Sequence, residues 1–160
     1  MNDLSKYFRD DPVRVRRASN EDVDDLVTII NDAYSYQDEA RGEPRTNHEH
    51  LTKRIAETEF YTVVDGGIII GCVYLEPHAS AMHFGLLTLV PTYRGKGLAQ
   101  EVVAAIENYA KSNRFTSLEL DYMSVAPWLK QYYEKYGFTQ TNTVSHWGSI
   151  DLLRMVKVLE

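Results

Sequence analysis

The chain has 160 residues, of which 44% are hydrophobic, and a formal net charge of −6 at pH 7. This length suits one domain with a buried core, and the composition excludes a disordered or fibrous chain. No apolar run is long enough to span a membrane, and the acidic balance argues against nucleic acid as a partner because phosphate binding needs a positive surface. The opening residues, MNDLSKYFRDDP, lack an apolar signal core, so we expect a cytoplasmic protein.

The first elements are predicted from alternation and capping signals. We expect residues 1–12 to be a polar lead-in to a single domain over residues 13–160. The alternating segment VRVRRA (13–18) predicts a strand. Ser19 and Asp22 then have the spacing of a capping box, and apolar residues at helical spacing follow it. The pattern predicts a first helix that extends to about Tyr34.

The next segment contains a loop, a short helix and a hairpin. Residues 35–45, SYQDEARGEPR, have no periodicity and are predicted to form a loop. Thr46 and Glu49 have capping-box spacing at the start of a short helix. The β-branched runs FYTVVD and IIIGCVYLEP surround Gly66–Gly67, which is typical of a two-residue hairpin turn.

The second half alternates strands with helices. AMHFGLLTLV (81–90) predicts a strand, apolar spacing predicts a helix from Leu98 to Ala110, and TSLELDY (116–122) predicts another strand. Pro127 suits the first turn of a helix rich in tyrosine, and Gly137 is a normal helix stop. Two final strands, FTQTNTVSHW and DLLRMVKVL, close the chain. The order β-α-α-β-β-β-α-β-α-β-β predicts an α/β domain with a mixed sheet, and it leaves open whether the strands on either side of the long helix are parallel neighbours.

The stretch TYRGKGLAQ (92–100) places two glycines where a strand passes into a helix. A glycine-rich turn before a helix is a recurrent binding site for phosphate, because backbone N–H groups converge there at the positive end of the helix dipole. A Walker A loop requires G-x-x-x-x-G-K-S/T, but Leu98 and Ala99 follow Gly97. The dinucleotide fingerprint G-x-G-x-x-G also fails, because Gln100 stands in place of its last Gly or Ala.

A third pattern fits better. Arg94-x-x-Gly97-x-Ala99 resembles the Q/R-x-x-G-x-G/A motif of the GCN5-related N-acetyltransferase (GNAT) superfamily, and YYEKYGF (132–138) is similar to the second motif of that family. The start R-A-S-x-x-D before a first helix ending in Ala-Tyr, and the closing MVKVL, are also typical. The resemblance covers nearly the whole chain from Val13. It implies a GNAT fold of the α/β (α+β) class, with a central mixed, mostly antiparallel twisted sheet of six to seven strands and about four flanking helices.

The resemblance also implies acetyl-CoA as co-substrate. Backbone groups of Leu87, Thr88 and Leu89 are expected to hydrogen-bond the acetyl-pantetheine arm like an added strand. Gly95 and Gly97 would keep Cβ atoms away from the diphosphate, and Lys96 would add positive charge at the rim of the site. Many relatives have Asn at the position of Ala126, so an Asn contact with CoA is not expected here. The amides of Gly95–Gln100 are expected to hold the diphosphate, and the cofactor-binding residues expected in this segment are Arg94, Gly95, Lys96, Gly97, Leu98, Ala99 and Gln100.

Direct transfer from a thioester to an amine requires a neutral amine and an acid for the departing thiolate. The family often uses the Tyr before E-K-x-G-F as this acid, which is Tyr133 here; the alternative is a core aromatic. His83 is a candidate base, placed by alternation on one face of its strand with Gly85, Leu87 and Leu89, and a hydrogen-bonded sheet histidine is the alternative. A reaction with no single essential base is also open. Other base candidates are Glu76, His78, Glu119 and Asp121.

The acceptor site is predicted beside His83, between residues 34–46 and the final hairpin. The side chains proposed to bind an amine there are Tyr34, Arg45, His146 and Trp147. Aromatic rings could hold a cationic or alkyl amine by stacking and cation–π contact, whereas Arg45, if it points inward, would favour an acceptor that bears a carboxylate. The alternative for each is closing the core.

No metal is predicted. Glu43, His48, Glu49 and His50 lie near a capped helix start and are interpreted as solvated side chains. Cys72, the only cysteine, lies in a buried-strand pattern and is interpreted as an inert thiol. A homodimer is possible but no sequence feature requires it.

The expected function is acetyl transfer from acetyl-CoA to a primary amine of a small molecule or peptide, in a ternary complex. Two alternatives remain open at this point. One is an enzyme of the same fold that uses another acyl-CoA or another nucleophile. The other is a non-catalytic sensor that binds acyl-CoA. The sequence does not identify the acceptor.

Overall fold

The computed structural model describes residues 3–9 and 11–160. Within this part of the chain, seven strands form a single sheet. The strands are β1 (Val13–Arg17), β2 (Glu59–Asp65), β3 (Ile68–His78), β4 (Ala81–Leu89), β5 (Ser117–Met123), β6 (Thr139–Trp147) and β7 (Ile150–Val158). Their order across the sheet is β1-β2-β3-β4-β5-β7-β6.

Five α-helices accompany the sheet in the described residues: α1 (Val23–Ala33), α2 (Asp38–Arg41), α3 (His48–Glu57), α4 (Leu98–Ser112) and α5 (Trp128–Glu134). Short 3-10 helices cover Leu4–Tyr7, Asn20–Asp22, Ser35–Gln37 and Pro91–Tyr93. Of these described helices, none has both the length and the apolar character needed to cross a bilayer.

The sheet is mixed and mostly antiparallel, which confirms the predicted fold class. All neighbouring strands are antiparallel except β4 and β5, which are parallel and are joined through α4. The parallel pairing is short: it matches Ala81–His83 with Ser117–Glu119 and goes no further along the described strands. Beyond His83 and Glu119 the two strands separate, so the sheet has an opening near its middle.

The two faces of the sheet carry separate apolar clusters. On one face, α4 packs Leu98, Val102 and Ile106 against the strands, together with residues near α5. These three positions are spaced four residues apart and lie on one side of a helix, as the sequence predicts. On the other face, α1 and α3 contribute residues such as Leu26 and Leu51. The site described below lies where the opening connects these two faces.

A bulge in β4 alters the predicted alternation. Cys72 pairs with Thr88 and Tyr74 with Gly85, so one β3 residue stands opposite two residues of β4. Leu86, within this bulge, has a left-handed backbone conformation with φ 53°, which is unusual for a residue with a branched side chain. The extra residue reverses the facing of the strand: His83 and Leu87 lie on opposite faces, and their predicted placement on one face is wrong.

The segment between α1 and α3 also differs from the prediction. Residues 35–45, predicted as a loop, contain a 3-10 turn and the helix α2. The predicted capping box at Thr46 and Glu49 is wrong by one residue, because the Asn47 side chain caps α3 by accepting a hydrogen bond from the His50 amide at 2.8 Å. Thr46 is instead buried, and its amide donates to the Asn31 side chain of α1 at 2.9 Å.

The start of the chain has more structure than a polar lead-in. Leu4 is fully buried and Phe8 nearly so, and both join the cluster on the α4 face. The first predicted capping box, at Ser19 and Asp22, is present and precedes α1. Arg16 strengthens it through two hydrogen bonds to the Asp22 carboxylate, at 2.8 and 2.9 Å.

The close approach of Tyr74 to Gly85 gives a test of the packing at the opening. A Cβ atom at Gly85 would lie 2.6 Å from the Tyr74 ring. We therefore expect Gly85→Ala to lower the free energy of unfolding by about 1–3 kcal/mol, a typical cost of overpacking. Chemical denaturation of the single variants and of the Gly85→Ala/Tyr74→Ala double variant measures this. The cost of Gly85→Ala should vanish once the ring is absent, and an equal cost in both backgrounds would contradict the contact.

Candidate active site

The N-terminus of α4 presents unpaired backbone donors to solvent. Gly97 is the N-cap in a left-handed conformation, with φ 82°, and Gly95 has φ 74°. The first intrahelical hydrogen bond runs from the Glu101 amide to the Gly97 carbonyl at 3.1 Å. The N–H groups that precede it therefore have no partner inside the helix. A Cβ at Gly95 would meet no atom within 4 Å, and one at Gly97 would meet only the Gln100 side chain at 3.9 Å. The space in front of these amides is open.

A groove of about 550 Å³ lies on these amides. It is lined by Leu89, Arg94, Gly95, Gly97, Leu98, Ala99, Gln100, Tyr132 and Tyr136. Arg94 folds back and donates from Nε to the Leu89 carbonyl at 2.8 Å. The Gln100 side chain donates to the hydroxyls of Tyr132 and Tyr136, both at 2.9 Å, and so ties the start of α4 to α5.

Three of the predicted cofactor residues lie outside this groove. Lys96 is exposed, with its ammonium 5.8 Å from the centre of the Tyr93 ring. Thr88 is buried, and its hydroxyl donates to the Leu86 carbonyl at 2.9 Å, within the bulge. Leu87 lines the opening between β4 and β5 instead. The other seven predicted positions line the groove.

The opening between β4 and β5 forms a narrow cavity of about 50 Å³. Tyr34 closes one side by donating from its hydroxyl to the Leu87 carbonyl at 3.3 Å. Because the cavity is lined by residues from both faces of the sheet, it connects the α4–α5 side with the α1–α3 side. Its walls are Tyr34, Tyr36, Phe84, Gly85, Leu86, Leu87, Leu120, Asp121, Tyr122, Met123, Leu129 and Tyr133.

Tyr133 stands at this opening on α5. Its ring packs edge-on against Phe84 and Phe138, with ring centres 6.4 and 5.6 Å away. Burial raises the pKa of the Tyr133 hydroxyl above its ordinary value, so the group is protonated at neutral pH. Among the described residues the hydroxyl makes no hydrogen bond, and it is available to a bound molecule.

His83 lies on the α1–α3 side of the opening and is held by Glu119 across the last pair of the parallel strands. Its Nδ1 is 2.8 Å from Glu119 Oε2. Because a carboxylate accepts hydrogen bonds, this contact places the proton on Nδ1 and leaves the lone pair on Nε2. Burial lowers the pKa of His83, although Glu119 opposes the shift. The ring is therefore neutral at neutral pH, as a base must be.

His78 extends the same network toward the surface. It lies 2.7 Å from both Glu119 Oε2 and Glu76 Oε1, and its ring stacks on His83 with centres 4.5 Å apart. Burial alone would lower the pKa of His78, but hydrogen bonds to Glu76 and Glu119 outweigh it and raise the pKa. Two carboxylate neighbours make both ring nitrogens donors. His83 is thus connected through Glu119 and His78 to the half-exposed carboxylate of Glu76.

Three side chains of this network could together hold a cation: His78, His83 and Glu119 have ligand atoms within 4.8 Å of one another. Among the described residues, they are the one group with this spacing. Their contacts of 2.7 and 2.8 Å are hydrogen-bond distances. The other candidates from the sequence do not converge: His48 contacts Asp24 at 2.9 Å, and Glu43 pairs with Arg41 at 2.6 Å. The absence of a resident metal stays a prediction.

A cavity of about 300 Å³ beside His83 brings the predicted acceptor residues together. Tyr34, Arg45, His146 and Trp147 all line it together with the buried His83, and Tyr34 also lines the opening. His146 is at the exposed rim, where its Nδ1 contacts Asp151 at 2.8 Å. Whether these side chains bind an acceptor remains a proposal, but the structure places all four around one cavity.

The same cavity contains residues that the sequence analysis did not identify as acceptor residues, notably Arg54 and Tyr74. Arg54 comes from α3, where it follows the buried Leu51 by three residues and immediately precedes the half-buried Ile55. A charged side chain beside the apolar stripe of a short helix was the signal available in the sequence. Tyr74 could not be distinguished in sequence from the other apolar residues of β3.

Family comparison agrees with the architecture. A family model described as "Acetyltransferase (GNAT) domain" matches residues 30–159. The chain belongs to the GNAT acetyltransferase family, which confirms the resemblance found in its motifs. No curated protein matches the chain by sequence.

Solved structures share the fold at low sequence identity. The PaiA N-acetyltransferase of Thermoplasma acidophilum, solved with coenzyme A, has a TM-score of 0.72 at 18% identity, covering 91% of this chain and 98% of its own. Ard1 of Thermoplasma volcanium has a TM-score of 0.74 at 15% identity, covering 93% and 99%. The ribosomal-protein-alanine N-acetyltransferase of Brucella melitensis has a TM-score of 0.68 at 18% identity, covering 91% and 99%.

The opposite pKa directions of the two stacked histidines can be measured. By NMR titration of the imidazole protons we expect His78 to titrate above the ordinary histidine value and His83 below it. Glu119→Gln removes a negative charge from both rings, so the pKa of each should fall. If His83 titrated above His78 in the unmodified protein, the assignment of His83 as the neutral member would be wrong.

Proposed function

We propose that this protein transfers an acetyl group from acetyl-CoA to a primary amine of a small molecule or peptide, by direct transfer in a ternary complex. The observation that carries the proposal is the opening through the sheet, which is lined from both faces. Tyr34, Gly85 and Asp121 line both the opening and the cavity that contains His83. On the other face, Leu87 of the opening lies two residues along β4 from Leu89 of the α4 groove. A donor and an acceptor can therefore meet from opposite faces.

The donor side suits coenzyme A. The unpaired amides of Gly97–Gln100 and the positive end of α4 favour the diphosphate. The pantetheine arm would follow the separated edge of β4, at Leu87–Leu89, toward the opening. Tyr34 and Arg94 already donate to two carbonyls of this edge, and each carbonyl retains a second lone pair for the arm.

Side chains on the two sides of the opening supply the proton transfers. Nε2 of neutral His83 accepts a proton from the ammonium of the acceptor, and the free amine attacks the thioester carbonyl of acetyl-CoA. The carbon–nitrogen bond forms as the carbon–sulfur bond breaks. Tyr133 donates its hydroxyl proton to the departing thiolate and regains one from the nitrogen by way of solvent, and His83 releases the proton that it took from the ammonium to solvent. The Glu119 carboxylate stabilises the imidazolium that forms, which gives it a positioning role.

Thiol release from acetyl-CoA, measured over a panel of primary amines, tests the proposal. Amine-dependent release and the acetylated amine in the product mixture are expected. Binding of acetyl-CoA without amine-dependent release from any member would favour a sensor. A clear preference for a longer acyl-CoA would favour a different acyl transfer on the same fold.

Gly97→Val tests the assignment of the diphosphate. The branched side chain would enter the open space in front of the α4 amides, so CoA affinity should fall by roughly tenfold or more, equivalent to losing at least one charge-assisted hydrogen bond. Calorimetry measures the change. Gly67→Val is the matched control, because Gly67 has φ 85° and an equally open surrounding but lies in the β2–β3 turn. If both variants bound CoA equally well, the diphosphate would lie elsewhere.

Tyr133→Phe tests the acid. It removes only the hydroxyl, so CoA binding should persist while turnover falls by roughly 10²- to 10⁴-fold. The rate of acetyl transfer in the variant and in the unmodified protein is compared by single-turnover kinetics, under conditions where the chemical step limits the rate. Tyr109→Phe removes a tyrosine hydroxyl that contacts Glu59 far from the opening, at 2.9 Å, and should leave turnover unchanged. Full activity of Tyr133→Phe would reduce Tyr133 to a packing residue.

A further inference from the structure

Two arginine side chains line the acceptor cavity without an acidic partner. Arg45 and Arg54 both face this cavity and the adjoining one of about 280 Å³. Across the described residues, no carboxylate lies within salt-bridge distance of either guanidinium. Arginines that are half-buried in a protein usually pair with a carboxylate or a ligand, so their unpaired state requires an explanation.

Aromatic rings hold the two guanidinium groups in place. The Arg45 guanidinium is 4.8 Å from the ring centre of Trp147 and 5.9 Å from that of Tyr34. The Arg54 guanidinium is 4.6 Å from the ring centre of Tyr74. These cation–π contacts orient the charges but do not neutralise them and do not accept N–H bonds in the guanidinium plane.

Arg45 has a buried hydrogen-bond donor without an acceptor. Its Nε is buried and makes no hydrogen bond to any described residue. An unsatisfied buried donor is costly, and it is rare in native proteins unless a ligand or ion completes it. Burial lowers the pKa of Arg45, and the nearby charge of Arg54 acts in the same direction. An anionic group in the cavity would accept a hydrogen bond from this donor and offset the charge of the two arginines.

The carboxylates that face the two cavities already have partners. Asp121 is held by Arg154, through bonds of 3.0 and 3.2 Å. Glu76 contacts His78 at 2.7 Å, and Glu57 lies 4.0 Å from Lys53. At the rim, His50 makes no ion pair with a described residue and His146 contacts Asp151. Arg45 and Arg54, which line the cavity of His83, are therefore left without a carboxylate partner among the described residues.

Arg41 stacks on the same tryptophan ring as Arg45 but is paired with a carboxylate. Its guanidinium is 3.4 Å from the Trp147 ring centre, on the ring that Arg45 also contacts. Unlike Arg45, Arg41 pairs with a carboxylate, Glu43, at 2.6 Å. Both arginines therefore stack on Trp147, but only Arg41 of the two also has a carboxylate partner.

We propose that the acceptor is an amine that carries a carboxylate close to its amino group, of the size of an amino acid, and that Arg45 and Arg54 bind this carboxylate while the amine lies at His83. The inference rests on the proposed function. The planar fork of a guanidinium matches a carboxylate in two parallel hydrogen bonds, and two arginines can enclose one group. A cavity of about 300 Å³ accommodates a molecule of this size. Its aromatic walls suit an apolar side chain on that molecule.

The experiment compares three matched amines: leucine, leucinamide and 3-methylbutylamine, which share an alkyl group and differ at the carboxylate. Thiol release from acetyl-CoA gives kcat/KM for each. Leucine should exceed leucinamide by roughly 10- to 100-fold, the range of a lost charge-assisted hydrogen bond. Equal values for leucine and leucinamide would overturn the proposal.

The variants Arg45→Gln and Arg54→Gln assign the preference to these side chains. Each should reduce the leucine-to-leucinamide ratio by roughly tenfold or more, mainly through the KM for leucine. Arg41→Gln is the matched control and should keep the ratio of the unmodified protein. If Arg45→Gln and Arg54→Gln slowed all three amines equally, the carboxylate would bind elsewhere.

A stability measurement separates a ligand site from a structural role. If Arg45 awaits an anion, Arg45→Gln removes an uncompensated buried charge, so Tm should be unchanged or higher without ligand. A merely structural arginine would lower Tm when replaced. A lower Tm together with an unchanged amine preference would refute the proposal.

A binding measurement keeps this inference distinct from the proposed function. N-acetylleucine and N-acetylleucinamide have no reactive amine, so their affinities for the CoA-saturated protein report the carboxylate site alone. Tighter binding of N-acetylleucine, lost in Arg45→Gln, supports the site even if no amine is acetylated, in which case only the proposed activity fails. Acetylation of all three amines with equal binding of both products would refute the site and leave the activity standing.

Discussion

The arrangement of the site depends on one constraint: the hydrogen-bonded pairing between β4 and β5 stops after three residues of each strand. Two parallel strands that start side by side would normally continue to pair along their length, but here the ladder stops at His83 and Glu119. The bulge at Leu86, with its left-handed backbone, turns the rest of β4 away. The backbone groups that β5 does not satisfy become an edge for a ligand, and the space between the strands becomes a passage through the sheet.

The side chains that the proposed mechanism uses surround this one feature. The last pair of the ladder brings together His83 and Glu119, so the proposed base is oriented at the point where the sheet opens. Tyr133 closes the opposite side from α5, and burial raises the pKa of its hydroxyl, which keeps the proton that the proposed acid would donate. The proposed acid and base thus approach the opening from the two faces of the sheet.

Local charge at the site differs from the charge of the whole chain. The formal net charge is −6, yet both cavities that flank the opening present unpaired donors: backbone amides at α4 on one side, and Arg45 with Arg54 on the other. Composition argues against a polyanionic partner in general, because binding such a partner requires an extended positive surface. It gives no information about small enclosed sites, which a few oriented groups can make favourable for anions.

The sequence predicts the features that depend on neighbouring residues. The α4 loop is local, since two glycines, a strand and an amphipathic helix identify it within one stretch of chain, and its open geometry follows. The first capping box is local in the same sense. The role of Thr46 is not local, because its contact with Asn31 on α1 forms only when the two segments fold together. Asn47 caps α3 instead.

The features that the sequence does not predict are set by pairing across the sheet. The bulge in β4 exists only relative to the register of β3, so simple alternation put His83 and Leu87 on the same face. The contact between His83 and Glu119 depends on how the parallel strands align. Arg54 becomes important because it stacks on Tyr74 of β3 and shares a cavity with Trp147 of the final hairpin, a relation that no local pattern contains.

The central claim is that donor and acceptor meet through the opening from opposite faces of the sheet. A crystal structure with a bisubstrate analogue, in which the CoA sulfur is joined through an acetyl linker to an amine, tests this directly. We expect the diphosphate at the Gly97–Gln100 amides, the linker between Leu87 and Tyr133, and the amine portion beside His83. An analogue bound with both portions on the α4 face, and the opening empty, would contradict it.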